Sequence, residues 1–247
     1  MPSSGLFARL APKEPLPLIQ AEAISPAVIL FADIYNYEEL IRPLLSWGRL
    51  PALVQGFNQL ISSMTAVILR HQGYLIQTTG ESYQALFGAP TTFSDPAQEE
   101  ESFRQTIAQA LRATLEMMEA LKNFPSTGAG SLKLSAGIDW GEAYLLLRGD
   151  SLQSPAQEIL LAGETACMAR RLNELARDNE VVITNLVDEA DRQFVQEVIS
   201  ASGFRMFTQK TEMKGKKGKI LRILEEGKEE PAGGPADLWS QMFPFPR

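Results

Sequence analysis

Residues 70–90 read RHQGYLIQTTGESYQALFGAP. From Tyr74 to Gly88 two alternating polar and apolar segments flank the tight-turn pair Thr79-Gly80, so the stretch predicts a β-hairpin with Glu81 at its tip. On the N-terminal side, AVILFADI at 27–34 is short, apolar and bounded by Pro26 and Asn36, which predicts a buried strand ending at Asp33. Residues 38–71 between them have helical spacing in two segments, punctuated by Pro43 and Pro51. On the C-terminal side, Asp95-Pro96 supplies a cap and first turn for a long helix over 95–122. LKLSAGIDWGEAYLLL at 132–147 reads as two strands turning around Asp139-Trp140-Gly141, a second hairpin. A helix over 164–178 follows, then the strand EVVIT, with FRMFTQ and GKILRIL closing the sheet. Strands and helices alternate, and the fold class is α/β.

The chain has 247 residues, 45% of them hydrophobic, enough for one compact domain with tails. An arm over 1–26 carries Pro12, Pro15, Pro17 and Pro26; the folded domain is expected over 27–224. The tail, 225–247, is charged, then rich in proline and glycine, and ends with Trp239, Phe243 and Phe245, which either fold back on the domain or dock on a partner. With 23 Lys+Arg against 30 Asp+Glu the net charge is −7, so no global positive field draws nucleic acid or an anionic membrane. No apolar run has the length of a signal peptide or membrane span, and the expected location is cytoplasmic. One cysteine, Cys167, and one histidine, His71, leave no internal disulfide and no cluster of soft metal ligands, so any metal here is a hard, oxygen-bound ion.

Five segments in series, VILFADI at 28–34, the 70–90 hairpin, LKLSAGIDWGEAYL at 132–145, AGETACMARRLNELA at 162–176 and MKGKKGKI at 213–220, resemble the class III adenylate and guanylate cyclases. The resemblance implies a ferredoxin-like α+β sandwich, a central mostly antiparallel sheet flanked by helices, working as a homodimer with its sites between subunits. It also implies chemistry. Attack of a ribose 3′-oxygen on the α-phosphate of the same nucleoside triphosphate uses two divalent ions, Mg2+ or Mn2+, held by two carboxylates. Here those carboxylates are Asp33 and Glu81, the latter where the family has Asp. The extra methylene displaces the ligand oxygens by roughly 1 Å, a misplacement that can cost about 10²-fold in rate.

On the complementary side the resemblance places the base-reading Lys at Gln77, the second base-reading position at Leu160 and the ribose-orienting Asn at Cys167. The Arg that stabilises charge on the phosphate is kept as Arg171, and Lys214, or Lys216 in an alternative register, resembles the late phosphate-binding Lys. The bland readings are a loop cap for Asp33, a solvated charge for Glu81, a surface cation for Arg171, a small apolar residue packing at an interface for Cys167 and a protected edge strand for Lys214 to Lys219. Three functions stay open. One is a catalytically impaired dimerisation, regulatory or nucleotide-sensing module in cyclic-nucleotide signalling. Another is an active nucleotidyl cyclase with altered base preference, making a 3′,5′-cyclic monophosphate and pyrophosphate. The third is the metal-donating half of a heterodimer with another cyclase-like chain.

Overall fold

The computed structural model describes residues 18–35, 37–38, 42, 50–88, 96–124, 132–149, 157–186, 189–213 and 216–228. Its elements run β1 (Leu18–Tyr35), α1 (Leu50–Arg70), β2 (Tyr74–Thr78), β3 (Ser82–Phe87), α2 (Pro96–Lys122), β4 (Lys133–Gly149), β5 (Gln157–Ala162), α3 (Glu164–Leu175), β6 (Glu180–Thr184), α4 (Glu189–Ser200), β7 (Phe204–Met213) and β8 (Lys216–Glu225). The strands make one eight-stranded sheet in the order β2-β3-β1-β4-β6-β8-β7, with β5 added beside β4. Among the described residues only the β4–β6 pair is parallel. The α+β sandwich expected from the sequence is therefore present, as is the hairpin of β2 and β3. Among the described residues no helix is long and apolar enough to cross a membrane.

The period-2 alternation of each strand sorts its side chains between two faces. Val28, Leu30, Ala32 and Ile34 of β1 join Leu134, Ala136 and Ile138 of β4, and Val181 and Ile183 of β6, in the main core under α1, α2 and α4. The intervening residues face the other side, which α3 covers through Ala166, Ala169 and Leu172. Strand register lines these residues up in rows. Asp33 pairs with Ser135 and Ser135 with Glu180; Phe31 pairs with Gly137 and Gly137 with Val182.

Gly137 sets how close α3 lies. A Cβ built there would stand 2.1 Å from the Asn173 backbone nitrogen and 2.2 Å from the Ala169 carbonyl oxygen, so helix and strand backbones touch where only glycine fits. The C-terminal end of α3 is clamped by a buried ion pair. Arg222 donates through Nε to Glu180 at 2.7 Å and through Nη2 to the Leu175 carbonyl at 2.9 Å. Burial pushes the Glu180 carboxyl up in pKa, and the Arg222 guanidinium pulls it back.

Three expectations change. β1 starts at Leu18 rather than Ala27, because its first half pairs with the second half of β4 across a register shift between Ile24 and Ala27. The second hairpin is absent: Lys133–Gly149 is one strand, and the local turn signal at 139–141 yields to pairing with β1 along the strand. Two elements lie outside the sequence reading, β5 and α4. The tail aromatics Trp239, Phe243 and Phe245 fall outside the described residues, as does Lys214; Lys216 opens β8.

Candidate functional site

The hairpin tip is held by short local bonds. Gly80 has φ +101, a conformation open to glycine, and its nitrogen donates to Thr78 Oγ1 at 3.0 Å. The Tyr83 hydroxyl donates to the Gly80 carbonyl at 3.0 Å, and burial holds that phenol well above its usual pKa. The Ile34 nitrogen donates to the Glu81 carbonyl at 2.8 Å, and Asp33 pairs with Ser82 in register, so the Asp33 and Glu81 backbones run side by side. The Glu81 side chain is exposed.

Asp33 stands on the α3 face of the sheet, at the edge of a cleft of about 290 Å³ between the β2–β3 hairpin and α3. A register shift between Leu75 and Gln77 in β2 brings Gln77 opposite Gln84, and both line this cleft with Asp33. On the helix side it is lined by Arg170, Asn173 and Glu174, with Arg170 and Glu174 paired at 3.6 Å. Asn173 Nδ2 donates to Asp33 Oδ2 at 2.6 Å, while Ser135 Oγ donates to Asn173 Oδ1 at 3.0 Å. Asn173 and Ser135 are both buried, so this chain of bonds holds the Asp33 carboxylate at a fixed angle with one oxygen engaged.

Asp33 and Gln77 thus share one cleft; Glu81, Leu160, Cys167 and Arg171 do not line it. Leu160 is half-buried in β5 opposite Leu146. Cys167 is exposed on α3, and Arg171 follows one turn later, half-buried. Sequence reasoning omits Asn173 and Ser135, although an Asn in the buried stripe of α3 is a signal in itself, since a buried amide needs partners. Among the described residues no three His, Cys, Asp or Glu side chains form a group able to hold a metal. Two carboxylates with oxygen donors still suit a hard divalent ion, provided a ligand and water complete its shell.

Residues 19–225 match the family model of the adenylate and guanylate cyclase catalytic domain. The chain belongs to that family. Several solved cyclase domains share its fold. Adenylyl cyclase CyaB from P. aeruginosa is 16% identical with a TM-score of 0.61, over 86% of this chain and 100% of that one. The guanylate cyclase domain of RhGC from Catenaria anguillulae, in complex with GTP, is 20% identical with a TM-score of 0.59, over 83% and 98%. The non-canonical dimeric guanylyl cyclase domain of the RhoGC fusion protein from Blastocladiella emersonii is 18% identical with a TM-score of 0.57, again over 83% and 98%. In this cyclase domain the Asp33 cleft occupies the α3 face of the sheet, beside the hairpin that carries Glu81.

Proposed function

We propose that this cyclase domain binds a nucleoside triphosphate with Mg2+ or Mn2+ but is catalytically impaired, and that it serves as a homodimeric, cytoplasmic regulatory or nucleotide-sensing module. The observation that carries the reading is the Asp33 cleft. Its carboxylate is oriented by Asn173 of the same chain, and the hairpin wall beside it offers the neutral Gln77. Asp33 Oδ1 and the Glu81 carboxylate would hold the ion, since Asn173 engages only Oδ2. When bound, such an ion supplies charge neutralisation for the phosphates and acidifies a ribose hydroxyl.

The remaining residues favour binding over turnover. Leu160 has no hydrogen-bonding side chain with which to read a base, and Cys167 offers a weak donor where a ribose needs a firm one. Arg171 keeps a cation for phosphate charge on the same helix. A second reading, the metal-donating half of a heterodimer, is favoured by the same asymmetry, because the Asp33 and Glu81 side retains its acceptors while Leu160 and Cys167 supply almost no polar chemistry.

The test pairs two measurements on the purified chain. Binding of a fluorescent nucleoside triphosphate with Mn2+ should be saturable and should be lost in Asp33→Ala. Conversion of ATP, GTP, CTP and UTP, followed by mass spectrometry, should yield no cyclic product. A cyclic product that vanishes in Asp33→Ala overturns impairment and makes Glu81 an adaptation, whereas absence of binding overturns nucleotide sensing. A monomer in sedimentation over the micromolar range overturns the homodimer.

A further inference from the structure

A second cleft, of about 530 Å³, lies at the other end of α3, where the first turn of the helix meets the middle of β4, the end of β6 and the start of β8. At its base is Asp139, 7% exposed. The Thr184 hydroxyl donates to Asp139 Oδ1, and the Trp140 backbone contributes a further hydrogen bond. Among the described residues no cation forms an ion pair with Asp139. Lys219 lines the same cleft but is exposed and unpaired with it. A buried carboxylate without a counter-ion carries a desolvation penalty of several kcal/mol. A buried carboxylate of this kind, set in a cleft, marks a candidate ligand site.

We propose that this cleft binds a small organic cation, an ammonium or amidinium group carried on an aromatic or apolar body, with Asp139 as its counter-ion. Three carboxylates, Asp139, Glu142 and Glu164, line the cleft against the one ammonium of Lys219. The positive end of α3, which by itself would favour an anion, already faces Glu164 in its first turn. A bare metal ion fits poorly, because these carboxylates do not converge as a metal-holding group among the described residues. The walls select the rest of the ligand. Met168 offers polarisable surface and Ile220 an apolar wall, a lining suited to an apolar body beside its charge, while the Trp140 ring packs on the other face of the sheet against Phe103. This site is separate from the Asp33 cleft and shares no lining residue with it.

Benzamidine, a flat amidinium, and benzamide, its neutral counterpart of nearly the same shape, are the probes. Titrated calorimetrically into the full chain at pH 7.5, benzamidine should bind saturably and raise the melting temperature, while benzamide should do neither. Asp139→Asn should weaken benzamidine by about 30-fold, as expected for removing the buried half of an ion pair. Glu164→Gln, at an exposed position in the first turn of α3, should weaken it by a few-fold through lost long-range attraction. Equal binding of the two probes, no binding of either, or benzamidine binding unchanged in both variants overturns the proposal.

Discussion

Replacing Asp139 by Asn should make this cyclase domain more stable at neutral pH, by an amount that depends on pH in a defined direction. Burial is the largest influence on the carboxyl and pushes its pKa up from 3.8 to about 6; the Thr184 and Trp140 hydrogen bonds pull the other way, and Glu164 adds to the rise. The folded state therefore keeps the proton up to about pH 6, while the unfolded chain releases it near 3.8. Between those values the folded state binds more protons than the unfolded one, so stability falls as pH rises through the window and is flat above it. The displacement corresponds to about 3 kcal/mol. Asn has the shape of the protonated carboxyl and can still accept from Thr184, but it does not titrate. Urea unfolding followed by circular dichroism should show wild type and Asp139→Asn nearly equal at pH 4, with the variant ahead by up to about 3 kcal/mol at pH 7.5. A difference that stays constant across this range, or that turns towards wild type as pH rises, would refute the reasoning, because it would mean that the ionised carboxylate is already compensated in the folded chain.

Two further outcomes test the packing that positions the Asp33 cleft. Gly137→Ala should cost about 3 kcal/mol or more, since its Cβ would meet helix backbone at 2.1 Å, and a thermal melt close to wild type would show that α3 can shift freely. Arg222→Met should lower stability by about 3–5 kcal/mol by stranding the fully buried Glu180, and adding Glu180→Gln should recover most of it; a double variant no better than the single one refutes the buried-pair account.

The parts of the fold legible in the sequence are those whose signal is local. The 74–87 hairpin, the Asp95-Pro96 helix start and the apolar run ending at Asp33 all announce themselves within a short local stretch, and the structure has an element at each. The helix α4 is legible too, since Phe194, Val195, Val198 and Ile199 recur at helical spacing behind an acidic first turn, although the sequence reading leaves it out. β4 misleads because Asp139 and Gly141 are turn residues by propensity, and only the pairing with β1, more than a hundred positions away, keeps the strand extended. The site divides in the same way. Asp33 and Gln77 can be placed by motif, but the Asn173–Asp33 bond joins residues 140 positions apart and depends on how closely α3 approaches β4. Charge gives no hint of the Asp139 cleft either, because only tertiary packing turns a mid-strand Asp into a buried one.

Backbone contact at Gly137 means that the spacing between α3 and the sheet is a main-chain dimension, like the rung distance of a ladder, and is not negotiated among side chains. Residues pointing from α3 or the hairpin into the surrounding space can then be exchanged without moving the frame that carries them. Gln77 on the hairpin and Cys167 on α3 stand at such exposed positions, and neither touches the contact that fixes helix to sheet. A scaffold of this kind can retire one chemistry and take up another while its architecture stays still.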